Sequence, residues 1–386
     1  VQESNIRKCF LAIDGSARAL LQARSRLLHE IAKDRHKVVA CAALDRSMSD
    51  IQIGDIEILR KRYRQLDIEF VKLDMSRQGI NPFEDLMTLL ELAKLVRKLR
   101  PDIVLNYSVK PNIYGSVAAK LAGIPEIYSV VTGLGYLFSN DSGFKTLIPG
   151  IGRTMLRIAL STNKRVFFQN ADDRAEFVSK GLIDPDQTVI INGSGVDLSY
   201  YSVEPFPDGP LVFLLIARLQ HHKGILEYIQ AAHTLKKLFP QARFQLIGPF
   251  DQHPSALKKT EIEVWRKQGD IEFLGGTADV RPFIAKAHVF VLPSYREGTP
   301  RSTLEAMAMG RPVITTDVPG CRDTVLHRQN GLIVPAGDSI ALTDAMREFL
   351  ESPSLIVPMG RCSRNIAEEK YDVSKVVAVM RDAMNI

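Results

Sequence analysis

The sequence predicts an α/β protein made of two Rossmann-like domains in series. Three observations predict it: short apolar runs alternate with amphipathic stretches, a proline- and glycine-rich break falls at 197–210, and a second alternating series starts directly after that break. The length agrees, since 386 residues exceed the ~100–200 typical of one domain. Apolar runs separated by helical stretches read as a parallel sheet covered on both faces.

In the first series, strands are expected over 6–13, 37–43, 68–72, 102–105, 126–131, 165–168 and 188–191. Helices are expected over 18–34, 83–99 and 111–122, with another between the last two strands. Within 197–210, Pro205, Pro207, Gly209 and Pro210 lie among few apolar residues, a composition that reads as a linker. The second series has expected strands over 211–217, 242–247, 271–274, 288–292, 312–316 and 332–334. Its first helix is expected over 223–239, and three consecutive helices fill 339–386. The expected domains are therefore 1–198 and 199–370, with a helix over 371–386 that is expected to pack back on the first. Two such domains would face each other across a cleft between the carboxyl ends of their sheets, where open α/β sheets bind ligands.

Composition narrows the function classes. Hydrophobic residues make up 45% and charged residues 24%, which excludes disordered and collagen-like chains. Four cysteines without a C-x-x-C pair indicate neither a disulfide framework nor a cysteine zinc site, and they suit a reducing cytosol. The longest strictly apolar run, 211–217, is far short of the ~18–20 residues that cross a bilayer. No signal peptide is visible, and Val1 suggests a trimmed start. The net charge is +6, and residues 1–200 hold 28 Lys+Arg against 23 Asp+Glu. Nucleic acid, anionic lipid, a phosphorylated substrate and plain solubility charge all stay open on that ground. After the first strand comes Asp14-Gly15-Ser16-Ala17, so the G-x-G-x-x-G fingerprint is absent, and so is a P-loop.

The most informative stretch is 289–310. A strand ends at Leu292-Pro293-Ser294, the loop Tyr295-Arg296-Glu297-Gly298-Thr299-Pro300 follows, and a helix is expected from Arg301 to Met309. Gly298 permits close backbone approach, and free N–H groups at a helix start can hold phosphate. Pro300 near the first helical position costs no hydrogen bond. Glu305, expected to be buried in the second turn, is costly there unless a ligand with vicinal hydroxyls satisfies it. Arg218 and Lys223 flank the exit of the first strand of this series, where cations can meet a leaving diphosphate.

This stretch resembles the family 4 glycosyltransferases, which have the GT-B fold. The segment from Leu292 through Glu297, Glu305 and Gly310 to Val313 is similar to their E-x7-E signature. Val318-Pro319-Gly320-Cys321, Asn330-Gly331-Leu332-Ile333-Val334-Pro335, Ala217-Arg218-Leu219 with Lys223-Gly224-Ile225, and Leu246-Ile247-Gly248 continue the resemblance in order. It implies a retaining transfer of a sugar from a nucleotide-sugar donor, expected to be a UDP-linked hexose or N-acetylhexosamine. It also implies roles. Arg218 and Lys223 neutralise the diphosphate, Glu297 contacts the sugar near the reacting carbon, and Glu305 binds the ribose. Gly298, Thr299 and Pro300 lie beside the distal phosphate, Leu274 lies near the base, and Gly15 and Leu304 complete the donor-binding set.

The sequence departs from the family at two places. Gly248-Pro249-Phe250-Asp251 stands where Gly-Asp-Gly-Pro is common, and Thr132 takes a position that is often histidine, so no histidine base is assigned. Asp184-Pro185-Asp186 spells D-x-D but sits in an expected turn. No metal ligand set and no cofactor are expected.

The first half resembles enzymes that extend undecaprenyl-diphosphate-linked sugars in O-antigen, capsule or N-glycan precursor assembly. The carrying segments are 76–82, 109–115 and 132–135. The resemblance implies a lipid-linked saccharide acceptor, with Arg77, Lys110, Asn112, Thr132 and Gly133 as its candidate ligands. Residues 142–171 contain no acid and interleave Lys145, Arg153, Arg157, Lys164 and Arg165 with Leu147, Ile148, Ile151, Met155, Leu156, Ile158 and Leu160. Such a stretch suits either an anionic membrane surface or a core helix with a solvated basic face. The expected location is cytoplasmic, peripheral on the inner face of the cell membrane. Two other readings compete: a GT-B nucleotide-sugar epimerase or hydrolase, and a non-catalytic nucleic-acid binder suggested only by charge. The latter lacks aromatic platforms and clustered basic runs, so no nucleic-acid partner is expected.

Overall fold

The computed structural model describes residues 7–44, 56–75, 81–133, 148–251 and 255–386. Arg77, Lys145 and Leu147 lie outside them, as do the side chains of Ile148 and Ile151. The chain forms two compact units, 1–191 with 377–386, and 192–376.

In the first unit the strands are β1 (Cys9–Asp14), β2 (Lys37–Ala42), β3 (Ile68–Lys72), β4 (Ile103–Tyr107), β5 (Glu126–Val131), β6 (Arg165–Phe168) and β7 (Thr188–Ile190). They form one sheet in the order β3-β2-β1-β4-β5-β6-β7, and every pairing is parallel. The helices are α1 (Ala17–Ala23), α2 (Ser25–Lys33), α3 (Ile56–Arg64), α4 (Pro82–Leu99), α5 (Val109–Leu121), α6 (Ile148–Ser161) and α7 (Ala171–Ser179). Strand β4 is buried at all five residues, as expected where helices cover both faces. Helix α4 has strong end signals. The Asn81 side chain accepts from the Phe83 and Glu84 N–H groups, Pro82 opens the helix, and Arg100 closes it in a left-handed conformation.

The single helix expected over 18–34 is two. It breaks at Arg24, whose Nε turns in to Asp14 Oδ2 at 3.1 Å and whose Nη1 donates to the Ala19 carbonyl. An inward ion pair takes precedence there over a continuous helix.

In the second unit the strands are β8 (Val212–Ile216), β9 (Arg243–Ile247), β10 (Glu272–Phe273), β11 (Val289–Leu292), β12 (Val313–Thr316) and β13 (Gly331–Val334). Their order is β10-β9-β8-β11-β12-β13, again all parallel. The helices are α8 (Ile225–Leu238), α9 (Lys259–Gln268), α10 (Arg281–Ala285), α11 (Arg301–Ala308), α12 (Ser339–Glu351), α13 (Ile356–Lys370) and α14 (Val373–Met384). Both sheets reverse direction beside their first strand, between β1 and β4 and between β8 and β11. Ligands of doubly wound sheets bind at such switch points, outside the carboxyl ends of the strands.

The stretch 197–210 is not a free linker. Val196 N–H donates to the Tyr371 carbonyl and Val373 N–H returns to Val196. Fully buried Arg311 donates to the carbonyls of Glu204, Pro205, Ile284 and Ala285 at 2.8–3.0 Å. His288 Nε2 meets the Pro207 carbonyl at 3.0 Å, while its Nδ1 accepts from Val212 N–H at 3.1 Å. This proline-rich segment forms no strand, so the Arg311 and His288 side chains take up its carbonyls and fasten it to the second unit. The unit boundary therefore falls between 191 and 192, ahead of the expected 198, and the first unit resumes at Val377 rather than at 371.

Candidate functional site

The expected site residues of the second unit lie in loops after the carboxyl ends of strands, except Leu304 and Glu305, which lie within α11. Arg218 and Lys223 follow β8, Leu274 follows β10, and the 293–300 loop follows β11. Lys223 Nζ and Glu297 Oε1 meet at 2.5 Å across the β8/β11 switch point, with side chains 11% and 16% exposed. Ser294 Oγ donates to the same carboxylate oxygen at 2.9 Å. Burial on its own would raise the Glu297 carboxyl. Lys223, the Ser294 hydroxyl and the nearby His222 outweigh burial and hold it below its ordinary value.

The two loops carrying this pair are stitched together by backbone. The His222 carbonyl accepts from Tyr295 N–H at 2.9 Å and from Ser294 Oγ at 3.1 Å. Gly224 takes φ of +69°, and a Cβ there would lie 2.0 Å from the Pro293 carbonyl oxygen. Only glycine allows that approach. On the other side, Glu297 N–H donates to the Pro319 carbonyl, and Gly320 sits so close to Gly298 that a Cβ would meet its oxygen at 2.1 Å. Lys223 stands just ahead of α8 and Glu297 just ahead of α11. The first N–H groups of a helix have no partner within it, and together with the helix dipole they favour phosphate. Two helix starts, one cation and one carboxylate thus share one small region.

The other expected residues are engaged separately. Arg218, half exposed, pairs with Asp251 at 3.2 Å, and Gln220 Nε2 donates to the same Asp251 oxygen at 2.6 Å. Glu305 is buried but not in need of a ligand. It accepts from Tyr201 Oη at 2.8 Å and pairs with Arg301 Nε at 2.7 Å. Pro300 occupies the N-cap position of α11 without a side-chain capping bond, Leu304 is a core residue at 1% exposure, and Thr299 packs against Gly193. Leu274 is exposed, and its N–H donates to the Leu246 carbonyl. Cys321, beside Gly320, is buried, and burial pushes its thiol up to about 12.

Sequence reasoning missed Asp251, Ser294, Tyr201 and Arg301. Arg301 and Glu305 stand four apart on one helix, a legible pair. Asp251 stood in the noted departure after β9, the strand next to β8. Tyr201 gave no local signal, being 104 residues from Glu305.

In the first unit, Gly15 N–H donates to Ser108 Oγ at 3.3 Å across the β1/β4 switch point. Lys110 is not a solvated cation, because it pairs with Asp85 at 2.8 Å with both side chains largely buried. Asn112 is also buried, donating from Nδ2 to the Val130 carbonyl at 3.1 Å, so it ties α5 to β5. Thr132 and Gly133, just after β5, are part-exposed. Asp184, in the D-x-D, caps a short 3-10 turn by accepting from Asp186 N–H. Among the described residues no group of three or more His, Cys, Asp or Glu could hold a metal, and no helix is long and apolar enough to cross a membrane.

Comparison with known proteins fits this geometry. Residues 26–170 match the Glycosyl transferase 4-like family and residues 210–352 match Glycosyl transferases group 1. The chain is a glycosyltransferase. It has the GT-B fold. The glycosyltransferase is 27% identical over 339 residues to the N,N'-diacetylbacillosaminyl-diphospho-undecaprenol alpha-1,3-N-acetylgalactosaminyltransferase of Campylobacter jejuni, covering 83% of this chain and 86% of the relative. It is 24% identical over 318 residues to the UDP-Gal:alpha-D-GlcNAc-diphosphoundecaprenol alpha-1,3-galactosyltransferase of Escherichia coli, covering 79% and 80%. The structure of Anabaena Alr3699/HepE in complex with UDP and glucose superposes with a TM-score of 0.73 at 18% identity, covering 98% of this chain and 100% of that one. The Lys223–Glu297 pair of the glycosyltransferase lies within its group 1 match.

Proposed function

We propose that this glycosyltransferase moves a hexose or N-acetylhexosamine from a UDP-sugar to a saccharide carried on polyprenyl diphosphate, with retention at the anomeric carbon and without a metal ion. The observation that carries the reading is the Lys223–Glu297 pair at the β8/β11 switch point, set between two helix starts. Lys223 is suited to a leaving diphosphate, since stabilising charge that develops in the transition state is a large catalytic contribution. Glu297 is suited to the positive charge that grows on the sugar as its bond to phosphate loosens. Arg218, held by Asp251, supplies a second cation for the diphosphate. The acceptor class is supported by the C. jejuni and E. coli relatives, both of which are named for a diphospho-undecaprenol acceptor. Thr132 and Gly133 are the acceptor-facing candidates of the first unit, and the basic 142–171 stretch suits an anionic membrane surface.

The test offers a panel of UDP-sugars with a polyprenyl-diphosphate-linked N-acetylhexosamine and follows product by mass spectrometry, with the anomeric configuration read by NMR. Transfer in excess chelator, with the donor's configuration kept, is expected. Restoration by magnesium or manganese after loss in chelator would overturn the metal-free reading, and an inverted product would overturn retention. Equal UDP release with and without acceptor would favour an epimerase or hydrolase instead.

A further inference from the structure

Helix α4 carries four large apolar side chains that the fold leaves open to solvent. Phe83 is 72% exposed, and Leu86, Met87 and Leu90 are 51–54% exposed. Their spacing of three, four and seven residues places them on one helical face. The same face continues as Lys94, Arg97 and Lys98, all exposed. At ~1.5 Å per residue the centre of the apolar group and the centre of the cations are about 15 Å apart along the axis.

The neighbouring helices extend the pattern. Helix α4 packs on α5 and α5 on α6, as right-handed crossovers from β3 through β6 require on one face of the sheet. On α6, Met155 and Ile158 are 41% and 58% exposed, and Arg153 and Arg157 are exposed beside them. We propose that α4 is a membrane-docking element, its Phe83–Leu90 turns entering the interface of an anionic leaflet and Lys94, Arg97 and Lys98 meeting lipid phosphates, with α6 alongside. The inference rests on the lipid-linked acceptor proposed above and names the surface that brings the chain to it.

Charge decides the occupant. Protein interfaces deplete lysine at their apolar cores, whereas interfacial helices pair an apolar face with Lys and Arg. Here the cations lie in line with the apolar residues. The amino end of α4 follows β3, so the apolar turns begin at the carboxyl edge of the sheet, the edge at which such sheets take their ligands.

The test is co-sedimentation of the full chain with phosphatidylglycerol-containing vesicles and with pure phosphatidylcholine vesicles. Two variants accompany the wild type, Phe83→Ser/Met87→Ser/Leu90→Ser and Lys94→Gln/Arg97→Gln/Lys98→Gln. All six positions are exposed, and circular dichroism with thermal melting checks that both variants fold. The apolar variant should lose at least ~10-fold in binding to anionic vesicles. The cationic variant should lose ~100-fold at low salt, and added salt should weaken the wild type in the same direction. Both variants should keep transfer to a short-chain, water-soluble acceptor while losing transfer to a vesicle-embedded one. Wild type and variants sedimenting alike overturns the proposal. So does a concentration-dependent dimer that the apolar variant abolishes without any change in vesicle binding. Absence of transfer by the wild type with vesicle binding intact overturns the acceptor reading and leaves the docking surface standing.

Discussion

The two sheets share a strand order but differ at their switch points. At β1/β4 the charges are consumed locally: Asp14 pairs with Arg24, ten residues on, and Ser108 Oγ donates to Asp14 at 3.4 Å. The Arg24 guanidinium lies 4.9 Å from the Tyr107 ring centre, and its side chain is 10% exposed. At β8/β11 the partners come from different β–α segments, 74 residues apart, on loops that backbone bonds hold in place. One topology thus yields a local brace in the first unit and a long-range pair, held by stitched loops, in the second. In the proposed donor complex, phosphate offered to Lys223 and hydroxyls offered to Glu297 would exchange with the pair while the backbone bonds keep the loops in place.

The largest effect should come from breaking the second pair on one side. Lys223→Met strands a mostly buried carboxylate and should cost ~3–5 kcal/mol of stability. The double variant Lys223→Met/Glu297→Gln should recover most of that in denaturant titrations while remaining inactive. Arg24→Met should also destabilise but leave the donor KM unchanged in protein that stays folded. If it raised the donor KM as Lys223→Met does, the contrast between local brace and long-range pair would fail.

Next come the two glutamates. Glu297→Gln should mainly lower kcat, by roughly 10- to 150-fold, the equivalent of ~1.5–3 kcal/mol for a charged hydrogen-bond acceptor. Glu305→Gln should chiefly raise the donor KM and also lower the melting temperature, because Arg301 loses its buried counter-charge. Identical steady-state profiles for the two variants would mean the roles are misassigned.

A smaller contrast separates the glycines. Gly224→Ala meets the Pro293 carbonyl at 2.0 Å in a left-handed conformation, whereas Gly15→Ala finds Ser108 Oγ at 3.1 Å, a tight contact with the end of a short side chain. The first should cost ~1–3 kcal/mol and disturb donor binding, and the second should cost less. Chemical denaturation of both variants compares them directly.

The weakest signal is in pH. The Glu297 carboxyl sits below its ordinary 4.5, so its contribution to stability is full above 4.5 and is lost as pH falls through the depressed value. Burial, together with nearby Arg311, lowers His288 below its ordinary 6.5. The unfolded chain therefore takes up a proton first, and stability is full above 6.5 and declines as pH falls below it. Melting temperatures across this range should fall in both steps. The double variant Lys223→Met/Glu297→Gln should lack the lower step, and His288→Asn the upper.

Much of the strand layout was legible because buried parallel strands are continuous apolar runs. Strands 68–72, 126–131 and 165–168 match to the residue. What was illegible depended on side chains reaching across the fold. Arg24 splits a helix to reach Asp14. Arg311 and His288 convert an apparent linker into part of the second unit. Helix α3 follows residues with no strong pattern and was not anticipated. In the site, residue identity and strand exits placed Lys223 and Glu297, but their mutual pairing, the Arg218–Asp251 contact and the Tyr201–Glu305–Arg301 cluster are long-range facts that periodicity cannot carry.

Helix α14 belongs to both units: its first residues bond to Val196, whereas Met380 and Met384 are buried and Arg381 pairs with Asp34 in the first. This has a consequence for the order of synthesis. Translation delivers residues 192–376 as one uninterrupted piece, but the first unit, begun earlier, stays incomplete until 377–386 leave the ribosome. Domains usually mature in the order they are made, but here the first unit cannot be complete until the whole of the second has been made. A nascent chain with a linker in place of 377–386, stalled with residues 1–376 outside the ribosome, should resist protease across its second half while its first half is still cut.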